Sequence, residues 1–524
     1  MKKSISPYLV AFYLLVGQNL MSQNYSSFQI DSIVKKSMSI RPNAGIAVAV
    51  VKDNEVVHLK GYGVTSILTK EAVDENTLFA IASNSKAFTT TALAILVDEG
   101  KLSWDDKVVD HIPEFKMYSP YVTENFNIQD LLTHRSGLGL GAGDLMFFPD
   151  GSDFTIGDVL QSFQYQKPVS AFRTKYDYDN LLYVVAGEVV ARVSGMGWAN
   201  FVETKIMDPL GMNRSVGVYQ RLQDKNNVAF PHSSENGELR QLEHYTKSDA
   251  SLGAAGGIYA SVNDLSKWLL LNLNNGKYGA NFNKQLISEN NHKELWKPHT
   301  NIGFNVAPSP PYKTHFSAYG LGWLLSDKNG FIVVEHTGGL PGMLSRTMLI
   351  PELNVGIVVL TNTDPGAYSF STIASTIADA YLGVDKTDWI ANADKRLQES
   401  EAESDSITTA VWQTVAKPKS TKIDYSNFVG TYQDNWFGKV EVFLKNGKPW
   451  FTSYRSPKLN GEMFFYKANT FAVKWEYRDM PCDAFAMFTL DENGKAIGIK
   501  MKGISPYIDF SFDFQDLDLK RIDK

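Results

Sequence analysis

The sequence predicts a mixed α/β (α+β) protein, an antiparallel sheet flanked by helices with a helical insert, followed by a small all-β domain toward the C-terminal end. Three observations carry this. Strand-like runs open and close a long first region whose interior shows helical periodicity. A charged stretch poor in apolar residues then interrupts the chain, and beyond it short alternating runs recur between Asn-Gly turns. A length of 524 residues also exceeds what one ordinary domain of about 100–200 residues accommodates.

The first element is a leader. Lys2 and Lys3 precede an apolar stretch from Tyr8 to Gly17 and a polar, small-residue region around Ser22, the pattern of a secretory signal peptide over residues 1–23. The apolar part is too short to span a bilayer comfortably, so the expectation is a periplasmic or secreted protein with no integral membrane segment after cleavage. Next, GIAVAVVK (45–52) and EVVHLKGYG (55–63) read as two strands of a hairpin turned at Asp53-Asn54. Helical periodicity follows at 85–98, 181–193 and 262–273. Strands return at FIVVEHT (331–337), RTMLI (346–350) and VGIVVLTN (355–362). Residues 384–423, with DKRLQESEAESDS and KPKSTK, read as a linker, partly helical. From 424 to 520 the short strands suggest a sandwich or barrel.

Composition narrows the function classes. With 44% hydrophobic and 21% charged residues the chain is a packed globular protein. A net charge of −6 supplies no basic surplus for nucleic acid. The single cysteine, Cys482, leaves no intrachain disulfide and no thiolate cluster. There is no HExxH pair, so no metal or other cofactor is expected, and no GxSxG nucleophile elbow. The partner to look for is a small-molecule or peptide substrate, and the oligomeric state stays open.

Three motifs carry chemistry. Ser83 and Lys86 in SNSK stand where an apolar helix begins, on one face and within reach of each other. Free N–H groups there favour the negative charge that forms when a serine attacks a carbonyl. Lys86 accepts the serine proton only when neutral, which requires its pKa to fall from about 10.4 toward 7, roughly 4 to 5 kcal/mol of differential interaction. Tyr178 and Asn180 in YDN directly precede a second helix, and His336, Thr337 and Gly338 end a strand before a glycine turn that includes Gly339. Each short motif has a decoy or a bland alternative. SIVK (32–35) repeats SxxK, YSN (425–427) repeats YxN, and His336 fits a structural strand-end histidine as well as a ligand. GLGLGAG (137–143) follows a helical segment and reads as a flexible loop, not a dinucleotide fingerprint.

SNSK, YDN and HTG, in that order, resemble the three active-site motifs of the serine β-lactamase and penicillin-binding-protein superfamily, class C-like branch. IQDLLTHRSGL (128–138), MDPLGM (207–212), AAGGIYASVNDLSKW (254–268) and YGLGW (319–323) add to that resemblance. It spans residues 27–383 and implies an antiparallel sheet flanked by helices plus a helical subdomain, with the site in the cleft between them. It implies Ser83 as acylated nucleophile, Lys86 as base and Tyr178 as second acid/base. Asn180 then holds Lys86 and the substrate, Thr337 and Gly338 line the substrate edge, and the N–H groups of Ser83 and Gly339 form the oxyanion hole. His336 stands where many β-lactamases carry lysine, which replaces a permanent positive charge with a conditional one and favours esterase, amidase or peptidase chemistry. Asp179 either faces solvent or adds a negative charge that suits a basic substrate group. The leading expectation is an exported serine hydrolase acting on a small ester, amide or D-amino-acid-containing peptide. The alternatives are a β-lactamase or DD-peptidase, and a silent acyl-binding or sensor protein.

Overall fold

The strand Gly45–Lys52 (β1) is apolar at nearly every position because both of its faces are covered. Ile46, Val48 and Val50 pack with Ile30 and Val34 of helix Ser27–Ile40 (α1), while Ala47, Ala49 and Val51 face a larger core on the opposite side. The structure, a computed structural model, describes residues 25–234, 237–246, 249–384, 387–418 and 423–523; the leader expected over 1–23 lies outside these.

Strand Glu55–Gly63 (β2) completes the N-terminal hairpin. The central sheet then adds Thr300–Phe304 (β3), Phe316–Tyr319 (β4), Leu324–Lys328 (β5), Phe331–Leu340 (β6), Met343–Ile350 (β7) and Val355–Thr361 (β8). Its order is β2-β1-β8-β7-β6-β5-β4-β3, antiparallel throughout, so the two ends of the region meet at the β1–β8 pair. Between them lies the helical insert, with Ser85–Asp98 (α2), Leu181–Ser194 (α3) and Val262–Leu273 (α4). Helix α2 is buried on every side from Ser85 to Leu96, its polar Lys86, Thr89 and Thr90 satisfied by internal hydrogen bonds, and Phe88 stacks on Trp268 of α4 at 3.9 Å. Helix Ser369–Leu382 (α5) covers the α1 face of the sheet.

Two features differ from the sequence expectation in extent. Strand β6 does not give way to a turn at Thr337–Gly338 but runs on through Gly339 to Leu340, each residue paired with β7. Position 338 is glycine where the strand passes against the Ser83 turn: a Cβ there would lie 2.2 Å from the Ile81 carbonyl oxygen and 3.0 Å from the Ser83 nitrogen. The charged stretch after α5 forms one 28-residue helix, Trp389–Ala416 (α6), whose polar majority is solvated.

Beyond it, eight strands close into a barrel: Gly430–Asp434 (β9), Gly438–Lys445 (β10), Lys448–Ser453 (β11), Asn460–Lys467 (β12), Thr470–Trp475 (β13), Ala484–Leu490 (β14), Ala496–Gly503 (β15) and Leu519–Arg521 (β16). The barrel interior is filled by Tyr432, Phe451, Phe471, Trp475 and Phe488, so Trp475 is core. It is docked on the helical insert through Arg455, which pairs with Asp153 and Asp158 at 2.7 Å each and lies over the Phe154 ring. The two decoys lie apart from SNSK, YDN and HTG, with Ser32 and Lys35 within α1 and Tyr425–Asn427 in a short turn before β9.

Candidate active site

Ser83 sits in a single turn of 3-10 helix, Ala82–Asn84, at the head of α2. Ala82 adopts a left-handed backbone at φ 48°, which lifts Ser83 toward the cavity. The turn is fixed from below. The Ser345 hydroxyl of β7 donates to the Ile81 carbonyl at 2.7 Å and accepts from Asn84 Nδ2 at 2.8 Å.

Three residues along the helix, Lys86 is fully buried and its Nζ reaches Ser83 Oγ at 3.0 Å, Asn180 Oδ1 at 2.7 Å and the Ala255 carbonyl at 2.9 Å. Burial pushes its ammonium down to about 7, against the opposing pull of the Asp144 and Asp179 carboxylates. The amine is thus held as a base near neutral pH. Tyr178 lies across it, with the Lys86 Nζ 4.8 Å from the ring centre and the phenol hydrogen-bonded to Ser83. Burial raises Tyr178 well above the ordinary phenol range, so it stands protonated, able to donate.

Asn180 holds the constellation together by its two ends. Its oxygen accepts from Lys86, and its Nδ2 donates to Asp144 Oδ2 at 2.8 Å. Asp179, in contrast, neither faces solvent nor lines the cavity: it is buried, its Oδ1 accepts from the Leu182 N–H at the start of α3, and burial pushes it up to about 7. The backbone N–H of Asp179 donates to Nδ1 of His134, whose ring packs on Tyr178 with centroids 4.2 Å apart. The loop bearing His134 is itself anchored by Asp130, which caps the helix Ile128–Leu132 and pairs with Arg135 and Arg173.

His336 is buried within β6. Its Nδ1 lies 2.6 Å from the Thr337 carbonyl, which only accepts, so Nδ1 carries the proton and Nε2 accepts from the Tyr319 hydroxyl at 2.8 Å. Burial, reinforced by Lys86, pushes it down to about 3. The conditional positive charge expected of this position is therefore absent at neutral pH: His336 is a neutral imidazole, its ring orientation fixed by Tyr319. Thr337 and Gly339 alternate to the exposed side of β6, while Gly338 faces the Ser83 turn.

These groups line a cavity of about 590 Å³. Ser83, Tyr178, Asn180, His336, Thr337 and Gly339 all border it. So do side chains that sequence reasoning did not single out: Tyr176, Asp364 and, from the barrel half, Tyr507, Asp509, Phe510 and Ser511. No Lys or Arg among the described residues borders the cavity. Asp364 is pushed up to about 7 by burial and by the neighbouring Asp509. Among the described residues no group of three or more His, Cys, Asp or Glu is placed to hold a metal ion.

Comparison with known proteins sets this geometry in context. The family model described as Beta-lactamase matches residues 30–382, and one described only as a domain of unknown function matches residues 415–521. The unguisins hydrolase ungD of Aspergillus violaceofuscus is 26% identical over 430 residues, covering 76% of this chain and 73% of that protein. Protein flp of Staphylococcus aureus strain MRSA252 is 27% identical over 345 residues, covering 65% of this chain and 63% of its own length. Among solved structures, the octameric penicillin-binding protein homologue from Pyrococcus abyssi aligns with a TM-score of 0.59 at 21% identity, over 92% of this chain and 98% of that one. At such identity the likeness is one of fold.

Proposed function

The chain belongs to the Beta-lactamase family, and from that premise we propose that it is a serine hydrolase that forms an acyl-enzyme on Ser83 and acts on a small ester, amide or D-amino-acid-containing peptide with a cationic group. The observation that carries the reading is the Lys86 amine, held near neutrality 3.0 Å from Ser83 Oγ. The name of the unguisins hydrolase supports hydrolysis in the same family.

In acylation, Ser83 Oγ bonds to the substrate carbonyl carbon and its proton passes to Lys86 Nζ. The tetrahedral oxyanion is stabilised by the N–H groups of Ser83 and of Gly339, which follows Gly338, the β6 position packed against the Ser83 nitrogen. As the carbon to leaving-group bond breaks, the Tyr178 hydroxyl gives its proton to the leaving oxygen or nitrogen and is reprotonated from Lys86. Water then attacks the acyl carbon, losing a proton to the same pair, and Ser83 leaves with that proton restored.

The cavity's charge supports a choice of substrate. A neutral His336 and the lack of bordering Lys or Arg among the described residues disfavour a carboxylate, the group a β-lactam or DD-peptide substrate presents. Asp364 and Asp509 favour an ammonium, whose charge offsets the burial and the Asp509 repulsion that together raise Asp364. The apolar stretch Tyr8 to Gly17, preceded by Lys2 and Lys3, supports a site of action outside the cytoplasm.

The test is intact-mass analysis with a serine-reactive phosphonate, followed by hydrolysis of paired esters differing only in a free or acetylated amine. Labelling at Ser83, lost in Ser83→Ala, with turnover and a lower KM for the free amine, is expected; Asp364→Asn and Asp509→Asn raise KM for that partner alone. Absence of labelling, or an acyl adduct that never decays, overturns the enzyme reading in favour of a binding protein.

A further inference from the structure

The chain between β15 and β16 leaves the barrel and enters the hydrolase half. There Asp513, fully buried, accepts from the backbone N–H of Gly143 and of Leu145 at 2.8 Å each, one on each carboxylate oxygen. It thus grips the turn that carries Asp144. Two residues earlier, buried Ser511 donates its hydroxyl to Asp144 Oδ2 at 3.0 Å, the oxygen that also receives Asn180 Nδ2. Phe510 closes over Gly141, where a Cβ would come 2.7 Å from its ring, and meets Tyr178 edge to face at 6.0 Å. The Gly141 N–H in turn donates to the Tyr178 carbonyl at 2.8 Å. A continuous line of hydrogen bonds therefore runs from the barrel through Ser511, Asp144 and Asn180 to Lys86.

We propose that Ser511 and Asp513 are positioning residues of the hydrolase site, by which the C-terminal barrel holds Asp144 and, through Asn180, sets the Lys86 amine against Ser83. This rests on the acyl-enzyme reading above. The barrel is a working part of the catalytic centre, and neither half is competent with the contact broken. The line also carries charge. Burial pushes Asp144 well above the ordinary carboxylate range, the hydrogen bonds from Asn180 and Ser511 oppose that shift by favouring its charged form, and the charged form favours the protonated form of Lys86. The titratable groups facing Lys86 are Asp144, Asp179, His134, His336, Tyr178 and Tyr183, and those facing Asp144 are Lys86, Asp179, Asp513 and Tyr178. Removing the Ser511 hydroxyl weakens the carboxylate, so Lys86 loses its proton at lower pH while also losing its fixed position.

The experiment measures the rate of Ser83 phosphonylation against pH for the full chain, its Ser511→Ala, Ser511→Thr and Asp513→Asn forms, and Glu492→Ala in an exposed barrel turn as control. Ser511→Ala is expected to lower the plateau about tenfold and move the acid limb to lower pH; Asp513→Asn also lowers the plateau, and Ser511→Thr restores both plateau and limb. A Ser511→Ala profile within twofold of the parent, with the limb in place, overturns the proposal. So does a lowered plateau that tracks a lowered Tm with no movement of the limb. Failure of the parent chain to label at Ser83 removes the acyl-enzyme reading and this inference with it, whereas parent labelling with indifferent variants removes this inference alone.

Discussion

Raising the pH from 5 to 9 is expected to switch Ser83 on through the loss of one proton from Lys86. Burial carries that ammonium from 10.5 down to about 7. The displacement is worth roughly 5 kcal/mol in favour of the neutral amine. At pH 8 about nine-tenths of the molecules then hold a competent base, against about 0.3% for an exposed lysine, a gain of roughly 300-fold. The rate constant for phosphonate inactivation reads this without assuming a substrate: a tenfold rise per pH unit below about 6 and a plateau above about 8. Asp179 also titrates near 7, so the limb alone does not name its owner. Asp179→Asn separates the two. It removes a charge that holds the Lys86 proton in place, so a limb owned by Lys86 moves to lower pH and persists, whereas one owned by Asp179 disappears. Stability follows with a definite sign. Because the folded value lies below the unfolded one, the unfolded chain binds the extra proton between about pH 7 and 10.5; the Lys86 contribution to unfolding free energy is flat below that window and rises across it. A flat inactivation profile, or a limb near 10, would refute the buried-base argument.

Three further outcomes are expected. Tyr178→Phe, which deletes the leaving-group proton donor, should lower turnover at least about 10²-fold while the chain still melts as the parent does; a near-normal rate would show that the phenol is not the acid. Gly338→Ala places a methyl group 2.2 Å from the Ile81 carbonyl oxygen, so β6 must retreat from the Ser83 turn and phosphonylation should slow by at least about tenfold. Tyr319→Phe strips His336 Nε2 of its donor and should cost about 1–3 kcal/mol in denaturant unfolding; an unchanged midpoint would mean that the imidazole finds another partner.

The sheet and the three motifs that meet at the cavity are legible because their signals are local. Alternation or an unbroken apolar run marks a strand, and a serine and lysine three apart at a helix head lie on one face. Sequence pattern leaves β6 short because adjacent glycines ordinarily mark a turn; here Gly338 marks a close backbone passage, which no spacing rule separates from a turn. Helix α6 was obscured by composition, since its few buried apolar anchors, Ile390, Leu397 and Val411, are spread over a long charged segment. The supporting layer of the site left no readable pattern. Asp144 follows a glycine-rich loop, His134 and Tyr319 lie inside phrases that carried only family likeness, and Ser511 and Asp513 occupy an aromatic-rich stretch of the last domain. Each reaches the centre through long-range packing, so its role exists only after folding.

The fit between segments 141–145 and 507–513 bears on how such proteins diversify. A crossover in the stretch between the halves would leave the sheet and the barrel each intact, yet it would join a carboxylate from one parent to backbone N–H groups from another. Asp513 has both oxygens committed and is fully buried, so a mismatched turn would strand a polar group and displace Asp144. Chimeras built by exchanging barrels are thus expected to fold and fall silent unless both segments travel together, and the two halves inherit drift as a pair.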